Sequence, residues 1–152
     1  MALWILLHLL GIILWLGGAA ASMAAGLRAR REERAGLGAI ARAQAAITGS
    51  VIGPGALLST LSGLVLTFRL STYSGGMAAA VTPLYLMQGA GLAGALVVLF
   101  VSVPTAAKLA RIDPMGQYAA AFDELRRRQA LAASIGGALG LVALLAGAAL
   151  RG

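Results

Sequence analysis

Apolar residues fill four long stretches of the chain, near residues 2–27, 47–68, 82–109 and 129–150, with polar residues gathered between them. Each stretch meets the roughly 20 residues that an α-helix needs to cross a hydrocarbon core about 30 Å thick. The pattern predicts an all-α fold, a single-domain integral membrane protein built as an antiparallel four-helix bundle. The first connection is Arg28-Ala29-Arg30-Arg31-Glu32-Glu33-Arg34, followed by Gly36 and Gly38. Helical periodicity then runs from Leu37 to Leu70, about 51 Å at 1.5 Å per residue and too long for one crossing. The part holding Arg42 and Gln44 therefore reads as a cytoplasmic or interfacial extension of the second helix. Gly53-Pro54-Gly55 should bend or interrupt that helix, because Pro54 lacks an N–H and its ring clashes with the preceding turn. Pro104 places a second kink in the third helix.

The remaining punctuation is local. Ser71-Thr72-Tyr73-Ser74-Gly75-Gly76 reads as a loop. Thr82-Pro83 and Asp113-Pro114 each read as a cap followed by proline at the first helical position, opening the third and fourth helices. The first half of the fourth helix, Met115 to Arg128, pairs Asp123 with Arg127 and Glu124 with Arg128 at i, i+4, as a solvated helix does.

Small and polar residues mark which faces meet. His8, Gly11, Trp15, Gly18 and Ser22 recur at helical spacing on one face of the first helix, with Leu and Ile around much of the rest. Gly136 and Gly140 have GxxxG spacing, Gly91 and Gly94 give the third helix a small face, and Ser59 and Ser62 line one side of the second. Such residues let membrane helices approach closely.

Composition narrows the class further. The 152 residues are 60% hydrophobic and 11% charged, against about 25% charged in a soluble domain. The apolar first stretch has no basic segment before it and its arginines follow it, so we read it as a retained helix rather than a cleaved signal. The absence of cysteine excludes disulfides, thiolate metal sites and covalent haem attachment. The net charge of +7 does not require nucleic acid. Ten basic residues (Arg28, Arg30, Arg31, Arg34, Arg42, Lys108, Arg111, Arg126, Arg127 and Arg128) fall on one side of the spans, against Arg69 and Arg151 on the other. This asymmetry places the two basic connections in the cytoplasm and both termini in the periplasm. A lipid-binding role for the basic clusters competes with that purely topological reading.

Candidate chemistry centres on His8, the single histidine. An ionisable side chain inside a span is costly and points to a function by default. Met87 and Gln88 reach a similar depth from the same side, and Arg69 ends the second helix at that surface. Imidazole and thioether as axial ligands, with guanidinium to a propionate, would seat a b-type haem. The same His8 and Met87 would instead hold copper, since thioether suits Cu(I). Against these stands a bundle without a cofactor, where His8, Gln88, Ser59 and Thr60 are interhelical hydrogen bonds, Met87 fills a gap and Arg69 snorkels. All five acids lie outside the spans, which argues against a carboxylate proton relay. One histidine rules out bis-histidine haem ligation within the chain, and no P-loop, zinc motif or nucleophile elbow occurs.

At Leu7, His8, Trp15, Gly17 and Gly18 the first helix resembles that of a broad group of four-helix bacterial membrane proteins, which share a pattern near L-H-x6-W-x-G-G. The group includes copper-resistance D-type domains, a related uncharacterised integral-membrane family and the HemJ-type protoporphyrinogen oxidases. The polar connection, Pro54 and Ser62-Gly63-Leu64 are also similar to the uncharacterised family. The resemblance implies a bacterial inner-membrane location and, from the HemJ-type proteins, haem binding at His8. Three functions follow as expectations: a haem- or copper-binding redox protein, a protoporphyrinogen oxidase, or a cofactor-free subunit in a homo-oligomer or larger membrane complex. Whether the chain is an enzyme stays open.

Overall fold

The computed structural model describes residues 1–73 and 81–149, the side chains at 70–73 and 81 excepted. Its described elements are helical throughout. The first helix is Ala2–Ala29. A 3-10 turn, Arg34–Gly36, leads into the second, which comprises Leu37–Ile47, a π turn at Thr48–Ile52 and Gly53–Tyr73. The third comprises Val81–Val97, a π turn at Val98–Ser102 and Val103–Leu109. A 3-10 turn, Gly116–Tyr118, precedes the fourth, Ala119–Ala149.

All four helices are long and apolar enough to cross a bilayer. Between 17% and 33% of the most apolar window of each is buried inside the protein. Ile13, Leu64, Phe68, Phe100 and Leu145 all point outward. In water so much exposed apolar surface would drive association. Facing hydrocarbon, it is the ordinary exterior of a multi-pass membrane protein.

The prolines are absorbed without breaking the helices. Just before Pro54, the Gly53 N–H donates to the Thr48 carbonyl, and just before Pro104, the Val103 N–H donates to the Val98 carbonyl. This i→i+5 bonding widens the turn where a proline ring would clash with a carbonyl one turn back. The two wide turns lie side by side, since a Cβ on Gly53 would sit 3.3 Å from Val103 Cγ2.

Several local expectations are corrected. The second helix continues to Tyr73, so residues 71–73 are helical; the rest of that expected loop lies outside the described residues. Thr82 and Pro83 follow Val81 within the third helix, and a capping role for Thr82 turns on residues outside the description. Asp113-Pro114 does not open the fourth helix directly. Asp113 Oδ1 accepts the Met115 N–H at 2.9 Å, closing a side-chain turn, and Gly116 then takes φ +68°, where only glycine is unstrained. Asp123 pairs not with Arg127 but with Arg34, at 2.8 Å. Arg34 also donates to the carbonyls of Pro114 (2.7 Å) and Ala119 (3.2 Å), so one guanidinium ties the two connections together. Nor is the charged half of the fourth helix solvated all round. Phe122 is completely buried there, in a cluster with Ala29, Leu37, Ala41 and Leu109.

The small-residue faces pack as their spacing predicts. Gly11, Trp15, Gly18 and Ser22 are the buried positions of the first helix together with Ala29. Gly11 lies on Ser59 and Gly55 of the second helix, and Gly18 lies on Ile52. On the fourth helix Gly136 faces Val98 of the third, and Gly140 faces Leu16 and Trp15. The Trp15 indole is wedged between Gly94 of the third helix and Gly140 of the fourth, in a core with Ile52 and Ala56 of the second and Ala95 and Val98 of the third.

Candidate functional site

His8 is half-buried on the first helix, one turn before Gly11. Because Gly11 and Gly55 bring the two backbones together, the short reach of an imidazole is enough to touch the second helix. Its Nδ1 lies 2.8 Å from the Ser59 carbonyl oxygen. A carbonyl only accepts, so Nδ1 carries the proton and, in the neutral ring, Nε2 carries the lone pair. Ser62 Oγ stands 3.3 Å from the same Nδ1 and donates its own proton to the carbonyls of Leu58 (2.5 Å) and Ser59 (3.2 Å). The imidazole lies over Gly63, where a Cβ would come within 2.9 Å of Cε1 and 3.2 Å of Nδ1. Glycine at this position is therefore a condition of the ring's placement.

The polar contacts continue to the third helix. Thr67 Oγ1 donates to the Gly63 carbonyl at 3.0 Å and accepts the Gln88 side-chain N–H at 2.9 Å. His8, Ser59, Ser62, Gly63, Thr67 and Gln88 thus form one ladder across three helices. Ser59 Oγ turns back to the Ala56 carbonyl at 3.1 Å, and Thr60 Oγ1 is buried without a partner among the described residues.

Among the described contacts, Met87 and Arg69 lie outside this ladder. The Met87 sulfur lies against Gly147 of the fourth helix, 3.1 Å from where a Cβ there would be. Arg69 is exposed at the end of its span. Among the described residues, no group of three His, Cys, Asp or Glu converges as a metal site would require.

A second polar cluster, at the arginine-rich end, was not anticipated. Gln129 donates its side-chain N–H to Ser102 Oγ at 2.9 Å, in full burial. Among the described residues Gln129 Oε1 has no partner, and neither does Thr48 Oγ1 in the other π turn. The sequence held one signal: Phe122, Gln129 and Gly136 recur every seven residues, which places Gln129 on the buried stripe of its helix. Gln44, in the first part of the second helix, donates to the Ser22 carbonyl at 2.9 Å and so fastens that part to the first helix.

Comparison with protein-family models, curated proteins and solved structures returns no match to this chain.

Proposed function

We propose that the protein is an antiparallel four-helix bundle of the bacterial inner membrane, with its termini in the periplasm and its arginine-rich connections in the cytoplasm. In this reading it serves as a compact membrane subunit, assembling with itself or a larger complex, and His8 is its interhelical clamp. The observation that carries the clamp is the 2.8 Å bond from His8 Nδ1 to the Ser59 carbonyl, over a glycine that leaves room for the ring. The ten-to-two distribution of basic residues supports the orientation. Labelling of Gly36→Cys and Gly76→Cys with an impermeant thiol reagent in intact cells tests it. Gly76→Cys should label and Gly36→Cys stay silent; the reverse pattern would invert the topology.

One observation favours a second reading, in which His8 binds b-type haem or copper. Donation from Nδ1 to a carbonyl is the arrangement that fixes the tautomer of a ligating histidine and leaves Nε2 to the metal. Met87 and Arg69 sit apart from the ring among the described contacts, so this reading rests on His8 alone. The HemJ-type oxidase activity implied by the resemblance depends on the same residue.

One experiment separates the two. The full chain and its His8→Ala and His8→Asn variants are purified in detergent, and visible spectrum, metal content and unfolding are measured. The clamp reading expects a colourless, metal-free wild type. It also expects His8→Ala to cost about 0.6–2 kcal/mol, with asparagine restoring part of the loss. The ligand reading expects a Soret band or bound copper that His8→Ala abolishes. Undiminished stability in His8→Ala would refute the clamp.

A further inference from the structure

On the surface between the third and fourth helices runs an open groove of about 390 Å³. Its walls are apolar, Val97 and Val101 on one side and Leu131 and Ile135 on the other. Its floor is Ala132, a small residue between two large ones, so the groove exists because that position carries only a methyl. At one end stand Arg127 and Arg128, both exposed, with Glu124 one turn beyond them.

The dimensions match a lipid. Arg128 to Ile135 spans about 10 Å along the helix, most of one leaflet's share of a hydrocarbon core about 30 Å thick. The polarity runs the same way, with guanidinium groups at one end and hydrocarbon walls beyond. Two arginines outweigh one carboxylate, so the mouth carries net positive charge, and guanidinium pairs well with phosphate. Glu124 lies farther from the hydrocarbon than the arginines, at the level of whatever a headgroup carries beyond its phosphate. A carboxylate there accepts hydroxyl protons.

We propose that this groove seats one anionic phospholipid with a hydroxylated headgroup, its phosphate held by Arg127 and Arg128 and one acyl chain lying along Val97, Val101, Leu131 and Ile135. The proposal rests on the membrane reading above. It goes beyond the general attraction of basic loops for anionic bilayers, because it assigns a site with a stoichiometry of one.

The test uses the full chain, purified and delipidated in detergent, with lipids added back and retention followed by native mass spectrometry. Phosphatidylglycerol is the probe; phosphatidylethanolamine and phosphatidylcholine are the comparisons. One phosphatidylglycerol should remain bound, at least about tenfold more tightly than the other two. Basic residues near a membrane surface contribute about 1 kcal/mol each, so Arg127→Gln with Arg128→Gln should weaken retention roughly tenfold to thirtyfold. Ile135→Trp, which fills the groove without touching the charges, should weaken it too. Arg30→Gln with Arg31→Gln, exposed on another connection, should change nothing. Equal retention of all three lipids would overturn the proposal, and so would an equal loss from the Arg30 and Arg31 pair, which is the mark of diffuse charge attraction. Alkaline carbonate extraction of the membranes keeps the two readings apart. A chain that stays in the membrane yet shows no lipid preference refutes the lipid site alone, whereas a chain released by carbonate refutes the membrane reading itself.

Discussion

Gly11 and Gly17 share a helix but occupy opposite settings, and alanine at each separates backbone contact from helix propensity. A Cβ on Gly11 would come within 2.4 Å of the Ser59 nitrogen, 2.8 Å of Ser59 Cα and 2.9 Å of the Gly55 oxygen. All three are backbone atoms of the second helix, so no side-chain rotation relieves the overlap and the two helices must part. A Cβ on Gly17 meets nothing within 4 Å. At either position alanine favours the helix by about 0.5–1 kcal/mol. At Gly11 the overpacking penalty of about 1–3 kcal/mol opposes that gain. The same displacement stretches the His8 bond to Ser59, and interhelical bonds of this kind are worth about 0.6–1.7 kcal/mol. The net expectation is a loss of roughly 1–4 kcal/mol for Gly11→Ala. Gly17→Ala should be neutral or stabilising by up to about 1 kcal/mol. Unfolding in mixed micelles with rising SDS, followed by circular dichroism, reads both. If Gly11→Ala proves as stable as Gly17→Ala, the two helices do not approach backbone to backbone at this point.

Other perturbations test other contacts. Ser102→Ala strands the buried Gln129 amide and should cost about 1–3 kcal/mol, while Ser102→Ala with Gln129→Leu removes both polar groups and should recover most of it; simple additivity of the single losses in thermal unfolding would show the two do not interact. Arg34→Ala removes two bonds to carbonyls as well as the pair with Asp123. That pair is half exposed on both sides and worth about 0.2–1 kcal/mol by itself, so Asp123→Ala should loosen residues 113–119 less than Arg34→Ala does in hydrogen exchange, and the opposite order would overturn the assignment. Trp15→Phe removes a buried N–H that has no partner while keeping a ring between Gly94 and Gly140. It should cost less than about 1.5 kcal/mol, against about 3–5 kcal/mol for Trp15→Ala, and equal losses would mean that the ring does not fill the space between Gly94 and Gly140.

Much of this arrangement could be read from the sequence because lipid-exposed helices obey few rules. Twenty apolar residues make a span, and small residues at helical spacing make its contact face. His8, Gly11, Trp15, Gly18 and Ser22 followed that logic, and all but the half-buried His8 are fully enclosed. Position along each helix follows from the fixed rise per residue. Azimuth between helices does not follow from it. Depth puts His8 and Met87 at one level, but depth does not say which neighbour a side chain meets. The Met87 sulfur turns to Gly147 and the His8 ring to Gly63. The prolines show a second limit. Pro54 and Pro104 announced a disturbance, but whether a helix kinks, breaks or widens into a π turn depends on what packs beside it, here the other wide turn. Surface pairing fails for a related reason. Asp123 and Arg127 satisfy the i, i+4 rule, but such a pair is worth only about 0.2–0.5 kcal/mol. Arg34 offers the same carboxylate a partner already held by two carbonyls.

The two ends of the molecule are held by different means. Lipid gives helices no hydrophobic reason to associate, so shape and hydrogen bonds must supply it. Near His8 the hydroxyls of Ser59, Ser62 and Thr67 all donate back to carbonyls of their own helix. They are therefore small groups satisfied before any partner arrives, and they let His8 and Gln88 add bonds without leaving donors stranded if they depart. Near Gln129 the backbone itself is altered. Thr48 Oγ1 and Gln129 Oε1 are buried and unpartnered, beside two helices already widened at Pro54 and Pro104. Buried polar groups without partners destabilise their surroundings, and wide turns give the backbone room to shift. Thr60 Oγ1, beside Ser59, is likewise buried without a partner among the described residues, so unmet hydroxyls occur at both ends, and it is the pair of wide turns that sets the arginine-rich end apart.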